Sequence, residues 1–142
     1  MKKIMSTQQI KTIVLIDDDP IANMISTKII EKTYTYRVMA FTNAIYALDQ
    51  LKEWASSALG GFPAVIFLDI NMPHMDGWVF LEEYQKLPNI FLDKCSVFLL
   101  TSSMEYDDIQ KSKTYKCVEE FISKPLTNDK LGHITQLSAY YK

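Results

Sequence analysis

Residues 12–20 read TIVLIDDDP, a short apolar run followed by three aspartates and a proline. Ile13 to Ile16 is apolar on both faces, which is typical of a central strand in a parallel sheet with helices on both sides. Asp19 followed by Pro20 is typical of a helix start, with an N-cap residue and then proline at the first helical position. The stretch therefore predicts a buried strand that passes directly into a helix.

Along the chain, short runs rich in β-branched residues alternate with longer stretches whose apolar residues have helical spacing. The predicted strands are 12–17, 36–41, 63–69, 97–101 and 117–123. The predicted helices are 20–32, 44–59 ended by Gly60-Gly61, 77–87 ended by Pro88, 105–113, and a last one with the stripe Leu131, Ile134, Leu137 and Tyr141. Glu119 and Glu120 mark the fifth strand as an edge. We expect an α/β fold, a flavodoxin-like (βα)5 doubly wound parallel sheet in the order 2-1-3-4-5.

The composition indicates one ordinary domain. The 142 residues are 48% hydrophobic and 23% charged, which suffices for one core without a metal staple or disulfides. Because 18 residues follow Lys124, enough for one helix, we expect a single domain over 1–142, with a core from about 11 to 141 and no effector domain. Fifteen Lys and Arg against 17 Asp and Glu give a net charge of −2, which argues against direct nucleic-acid binding.

The lengths of the apolar runs and the spacing of the cysteines indicate the cellular compartment. The longest apolar runs, such as 64–68, have five residues, whereas a transmembrane helix needs about 20, so no membrane association is expected. Cys95 and Cys117 lack CxxC spacing and lie near the starts of neighbouring predicted strands, which is typical of free thiols in a reducing cytosol. We expect a cytoplasmic protein whose cysteines have no redox role.

Polar side chains stand at the ends of four predicted strands, at the edge where open parallel sheets bind ligands. Asp17 and Asp18 follow the first strand and Asp69 follows the third. Thr101 ends the fourth strand, and Lys124 follows the fifth. Because the carboxyl ends of parallel strands meet at one edge, we expect these five side chains to converge.

A cluster of three carboxylates requires a cation. Two carboxylates about 4 Å apart repel by roughly 4 kcal/mol at an effective dielectric constant of 20, and Lys124 alone cannot neutralise three. Oxygen ligands without His or Cys favour a hard ion, and two or three carboxylates with water suit Mg²⁺ better than Ca²⁺. Thr101 and Lys124 are the donors that phosphoryl oxygens need. Asp69 lies between the metal and these donors, where a nucleophile belongs.

These residues resemble a known family, the two-component response-regulator receiver domains. The matching residues, in this order on the strand ends, are Asp17-Asp18, Asp69, Thr101 and Lys124-Pro125. Residues 69–77, DINMPHMDG, are similar to the family's motif around its phosphorylated aspartate, and residues 121–125, FISKP, resemble its closing motif. The resemblance covers nearly the whole chain.

The resemblance implies a phosphoacceptor function. Asp69 would take a phosphoryl group from a phosphohistidine on a sensor histidine kinase or a histidine phosphotransfer protein, forming an acyl phosphate. Asp18 would ligate Mg²⁺ directly and Asp17 through water. Asp69 and the backbone carbonyl of Asn71 would complete the protein ligands.

The resemblance also implies a switch. Thr101 and Lys124 would hold the phosphoryl oxygens, the Thr101 hydroxyl would move toward the phosphate, and Phe121 would turn inward. The face formed by helix four, strand five and helix five would then change for a downstream protein target. Asn71 and Ser103 would flank the site and tune the lifetime of the phosphoryl group. Such a domain promotes only its own phosphorylation and dephosphorylation and is not otherwise an enzyme.

Three positions carry local expectations. His74 stands where many receivers have glycine, so we expect a left-handed backbone conformation there. Phe121 stands where tyrosine is commoner and lacks its hydroxyl, and its alternative interpretation is a plain core aromatic. The family often holds the bond between Lys124 and Pro125 cis, although only about 5–6% of X-Pro bonds are cis in general, and we expect a cis bond here.

Two alternatives stay open. A haloacid-dehalogenase-like phosphatase also uses an aspartate nucleophile, Mg²⁺ and a lysine on a parallel sheet. Its Asp-x-Asp pattern after the first strand would be Asp17 and Asp19, although Pro20 interrupts the continuation. A phosphate-independent, receiver-like interaction module is the second alternative. The intact set of strand-end residues argues against that module.

Overall fold

Five parallel strands form one sheet in the order β2-β1-β3-β4-β5, which confirms the predicted topology. The protein is described from a computed structural model that covers residues 11–57 and 62–134. Its elements are β1 (Thr12–Ile16), α1 (Pro20–Thr33), β2 (Arg37–Phe41), α2 (Ala44–Ser56), β3 (Pro63–Leu68), α3 (Gly77–Tyr84), α4 (Asn89–Leu92), β4 (Ser96–Thr101), α5 (Tyr106–Ser112), β5 (Val118–Ser123) and α6 (Asn128–Gly132).

The sheet is covered by helices on both faces because successive side chains of a strand point in opposite directions. In β1, Val14 and Ile16 belong to one buried cluster, which α2 and α3 complete. Ile13 and Leu15 belong to a second cluster, which α1 and α6 complete. All six residues of β3 are buried, whereas β5 carries the exposed Glu119 and Glu120 at the sheet edge. Strand hydrophobicity therefore predicted the central and edge positions correctly.

The strand register brings the functional edge together. Ile16 at the end of β1 pairs with Phe41 of β2 and Leu68 of β3, and Thr101 at the end of β4 pairs with Ser123 of β5. Helices α1, α2 and α3 begin at this same edge, and each is capped by a side chain that accepts a backbone N–H. The capping residues are Asp19, Asn43 and Asp76.

The third helix is shorter than predicted, and a helix that was not predicted follows it. α3 ends at Tyr84 rather than at Leu87, although Leu87 remains buried in the following turn. The residue before a proline is disfavoured in helical conformation, which favours an end ahead of Pro88. The four-residue α4 then buries Phe91 completely. The predicted helices four and five are consequently α5 and α6.

Two helix predictions extend beyond what the structure describes. α2 ends at Ser56, and the predicted continuation to Leu59 and its glycine stop fall in residues 58–61, outside the described ranges. For the last helix, Leu131 and Ile134 are buried, whereas Leu137 and Tyr141 lie outside the described residues. Within 11–57 and 62–134, no helix combines the length and apolar character that a membrane span requires.

Candidate functional site

The backbone at the strand ends is held by ladder-like hydrogen bonds one residue beyond the strands. The N–H of Asp17 donates to the carbonyl of Phe41 over 3.0 Å, and the N–H of Asp69 donates to the carbonyl of Ile16 over 2.9 Å. The N–H of Lys124 donates to the carbonyl of Thr101 over 2.9 Å. The predicted site residues are therefore positioned by the sheet itself, rather than by free loops.

Three carboxylates converge at this edge, as their positions in the sequence predicted. One oxygen each from Asp17, Asp18 and Asp69 lies within 4.8 Å of the others. Asp17 and Asp69 are 7% and 6% exposed, whereas Asp18 is exposed to solvent. The cluster is therefore buried at Asp17 and Asp69 and open to solvent at Asp18.

Lys124 lies against the buried pair of carboxylates. Its Nζ is 2.5 Å from Oδ2 of Asp17 and 3.3 Å from Oδ2 of Asp69. Burial by itself would lower the pKa of Lys124, but the two carboxylates together outweigh burial, and the pKa is raised. The lysine therefore remains a cation, available to phosphoryl oxygens.

Asp69 is held in an environment that disfavours its charge. Burial is the largest cause of its raised pKa, and the charge of Asp17 raises it further. The ammonium of Lys124 and the hydroxyl of Thr101 lower the pKa but do not cancel the effect of burial. An ionised Asp69 at neutral pH therefore costs the folded state free energy when no metal ion is bound.

In EDTA at pH 7, Asp69→Asn is expected to raise the thermal midpoint by a few degrees, about 1 kcal/mol, because it removes a buried charge while keeping the shape. The raised pKa means that the native state holds the Asp69 proton more tightly than the unfolded state. The advantage of the variant should accordingly shrink as pH falls through the raised pKa of Asp69. Thermal melts of both proteins across this range test the prediction, and an equal or lower midpoint for Asp69→Asn at pH 7 would contradict it.

The donor set fits a hard divalent cation. All three converging ligand groups are carboxylates. Asp18 is exposed to solvent, which leaves room for the water ligands that Mg²⁺ retains. Asn71, the fourth predicted ligand, is exposed on the loop two residues after Asp69, and its carbonyl remains a predicted ligand. Mg²⁺ is therefore compatible with the residues present.

Thr101 and Phe121 occupy different environments. Thr101 is fully buried at the end of β4, and its Oγ1 accepts a hydrogen bond of 3.2 Å from the N–H of Ser103. Phe121 is partly buried on the edge strand β5 and packs against the core cluster beneath α2 and α3. Its switching role and its interpretation as a core aromatic are both compatible with this placement.

Two local backbone predictions are confirmed. His74 has φ of 70°, the expected left-handed conformation, and the bond between Lys124 and Pro125 is cis. Lys130 braces the loop around this bond, because its Nζ donates to the carbonyls of Ser123 over 2.6 Å and Pro125 over 3.0 Å. Lys130 was not predicted from the sequence.

Asn23 and Gly77 also support the site and were missed. The buried side chain of Asn23 donates to the carbonyl of Asp17 over 3.0 Å and to that of Phe41 over 3.2 Å, joining the ends of β1 and β2. A Cβ on Gly77 would lie 2.7 Å from the carbonyl oxygen of Asp69. In the sequence, Asn23 showed only as a polar residue within the first predicted helix, and Gly77 only as a glycine at a helix start.

Comparison with known proteins identifies the family. Residues 13–136 match the family described as the response regulator receiver domain. The chain belongs to this family. It is therefore a receiver domain of a two-component system, and receiver domains are in general signalling modules that contact histidine kinases or phosphotransfer proteins and downstream targets.

Individual relatives agree with this assignment. The receiver domain is 30% identical to response regulator Rre1 of Synechocystis sp. over 131 residues, which are 88% of this chain and 50% of that protein. The chain thus spans half the length of this curated relative. A two component response regulator from Cytophaga hutchinsonii is 29% identical with a TM-score of 0.80, over 93% of this chain and 97% of that one. The N-terminal domain of a response regulator receiver protein from Methanoculleus marisnigri is 28% identical with a TM-score of 0.63, over 85% and 89% of the two chains.

The two cysteines of the receiver domain lie at the opposite edge of the sheet, just before β4 and β5, and both are free thiols. Burial raises the pKa of Cys95 to about 12 and that of Cys117 to about 11. Burial therefore disfavours the thiolate, which is the reactive form of a cysteine. That they have no redox role stays a prediction.

Proposed function

We propose that this receiver domain accepts a phosphoryl group on Asp69 from a phosphohistidine of a sensor histidine kinase or a histidine phosphotransfer protein. The observation that carries the proposal is the Asp69 carboxylate, which converges with those of Asp17 and Asp18 and lies 3.3 Å from the ammonium of Lys124. A carboxylate so placed has both metal-binding groups and a donor for phosphoryl oxygens within reach. Asp69 is thereby the nucleophile of the site.

The transfer follows from the roles of the residues. A carboxylate oxygen of Asp69 attacks phosphorus, and the phosphorus–nitrogen bond of the donor breaks with its electron pair left on the histidine, which takes up a proton. Lys124 and Thr101 donate hydrogen bonds to the phosphoryl oxygens and hold these oxygens in place while negative charge develops on them during the transfer. Mg²⁺, held by Asp17, Asp18, Asp69 and the carbonyl of Asn71, would offset the charge of the carboxylates and the phosphoryl group. The product is an acyl phosphate.

The surface around the site is suited to a protein donor. Large exposed apolar side chains surround the edge, in the first two turns of α1, α2, α3 and α5 or in the loop before α5. They are Ile21, Met24, Ile25, Ile45, Tyr46, Val79, Met104 and Tyr106, and among the described residues only Ile90 is an exposed large apolar side chain elsewhere. A cavity of about 180 Å³ beside Lys124, lined also by Ile21 and Leu126, continues this apolar surface. Apolar patches of this kind mark protein contacts.

The output of the domain is proposed to pass through the face formed by α5, β5 and α6. Thr101 moves toward the phosphoryl group, Phe121 turns inward, and a downstream protein target reads the changed face. The domain promotes only its own phosphorylation and dephosphorylation. It would work in the cytoplasm, which supplies ATP to histidine kinases.

Phosphoryl uptake from a small donor tests the proposal. The intact protein is incubated with acetyl phosphate and Mg²⁺, beside an EDTA control and the variant Asp69→Asn, and its mass is measured. We expect the gain of one phosphoryl group that is labile to hydroxylamine, requires Mg²⁺ and is absent in the variant.

The other outcomes separate the alternatives. No gain in mass under any condition would favour the phosphate-independent module. Release of phosphate from acetyl phosphate without accumulation on the protein would favour the phosphatase. A gain that persists in Asp69→Asn would place the acceptor elsewhere.

A further inference from the structure

A series of polar contacts, two of them hydrogen bonds, leads from the proposed acceptor to helix α5. The hydroxyl of Thr101 interacts with the carboxylate of Asp69, and its oxygen accepts the N–H of Ser103 over 3.2 Å. The hydroxyl of Ser103 in turn lies 2.6 Å from Oδ2 of Asp108. Each step joins a group at the site to one nearer the helix.

The contact between Ser103 and Asp108 is the strongest step of this series. At 2.6 Å, it falls in the range of O–H···O⁻ hydrogen bonds to an ionised acceptor, which are about twice as strong as neutral ones. Both residues are half-buried, so water competes less for the bond than on an open surface. Ser103 is thereby anchored to the first turn of α5.

Asp108 differs in its hydrogen bonding from the other acidic residues at the start of α5. Glu105 is the N-cap residue, but its side chain makes no capping hydrogen bond. Asp107 lies in the same first turn and is exposed. Asp107 and Asp108 have equal charge and similar places relative to the helix dipole, and the hydrogen bond to Ser103 distinguishes them.

We propose that Asp108 is a positioning residue for phosphoryl transfer: by holding Ser103, it orients the hydroxyl of Thr101 and couples that hydroxyl to α5. This rests on the proposed function of Asp69. The anchored Ser103 keeps its N–H on the Thr101 oxygen, which leaves the threonine proton directed to the acceptor. Movement of Thr101 toward a phosphoryl group must then act on α5 through the same two bonds.

Four variants and one double variant test this inference by the rate of phosphorylation with acetyl phosphate and Mg²⁺. Asp108→Ala and Ser103→Ala should each slow the reaction by about 3- to 10-fold, the loss expected for one oriented hydrogen bond. Asp108→Asn keeps an acceptor oxygen and should stay within about twofold of the unmodified protein. Asp107→Ala, the matched control, should leave the rate unchanged.

The double variant of Ser103→Ala and Asp108→Ala should be no slower than either single variant, because both remove the same bond. Equal slowing by Asp107→Ala would show a helix-dipole effect and overturn the inference, as would additive losses in the double variant. Amide exchange at Ser103, measured without any phosphodonor, should be faster in Asp108→Ala than in Asp107→Ala. If the unmodified protein takes up no phosphate, both the proposed function and the role of Asp108 in phosphoryl transfer fail. The amide-exchange measurement then tests only whether Asp108 holds Ser103.

Discussion

Lys124→Met is expected to slow phosphorylation of Asp69 by acetyl phosphate by about 100-fold or more, the usual loss when one preorganised donor to a developing charge is removed. Nζ of Lys124 is 3.3 Å from Oδ2 of Asp69 and 2.5 Å from Oδ2 of Asp17, and it carries the positive charge that the described residues bring to the acceptor. Methionine keeps much of the length of the side chain but donates no hydrogen bond. The rate is measured by intact mass against time at saturating Mg²⁺.

Lys116→Met is the matched control for this prediction. Lys116 is exposed in the turn before β5, so the substitution removes the same charge away from the site. The control should react at the rate of the unmodified protein. A loss below about threefold in Lys124→Met, or an equal loss in Lys116→Met, would show that Lys124 does not hold the phosphoryl oxygens.

Gly77→Ala is expected to destabilise the fold by about 2–3 kcal/mol and to slow phosphorylation, because it displaces the backbone beneath the acceptor. The added Cβ would lie 2.7 Å from the carbonyl oxygen of Asp69 and 2.8 Å from Cα of Ile70. Both are backbone atoms, and the N–H of Gly77 also donates to the carbonyl of Ile70 over 2.8 Å. The two backbone segments are therefore tied together and cannot move apart to make room for the added Cβ. Urea unfolding measures the free energy, and intact mass measures the rate.

Gly132→Ala serves as the control at the other glycine that the structure describes. No heavy atom lies within 4 Å of the position of its Cβ, and Gly132 ends α6. Alanine there should be neutral or raise the free energy of unfolding by up to about 1 kcal/mol. A Gly77→Ala protein as stable and as reactive as the Gly132→Ala protein would contradict the close approach at Asp69.

The strand-end residues were predictable because the sheet places them. Once Asp17, Asp69 and Thr101 follow the ends of buried parallel strands, the topology brings them to one edge without any knowledge of their contacts. Burial of the strands likewise distinguished the central β3 from the edge strand β5. These features depend on periodicity, which the sequence carries directly.

The supporting residues were not predictable in the same way. Lys130 and Asp108 reach the site through side-chain hydrogen bonds across loops, and such contacts have no characteristic spacing in the sequence. Helix α4 is a single turn, too short for helical periodicity, although its Phe91 is fully buried. Gly77 is needed for a close approach between backbones that only the folded chain reveals.

The most direct test of the account is chemical identification of the phosphorylated residue. The domain is incubated with acetyl phosphate and Mg²⁺, treated with borohydride, which reduces an acyl phosphate to an alcohol, and digested for peptide mass spectrometry. We expect homoserine at position 69 and at no other aspartate, and none when Mg²⁺ is withheld. Homoserine at position 17 or 19 would contradict it in favour of the phosphatase-like nucleophile, and unmodified aspartate at all positions would contradict phosphoacceptor function altogether.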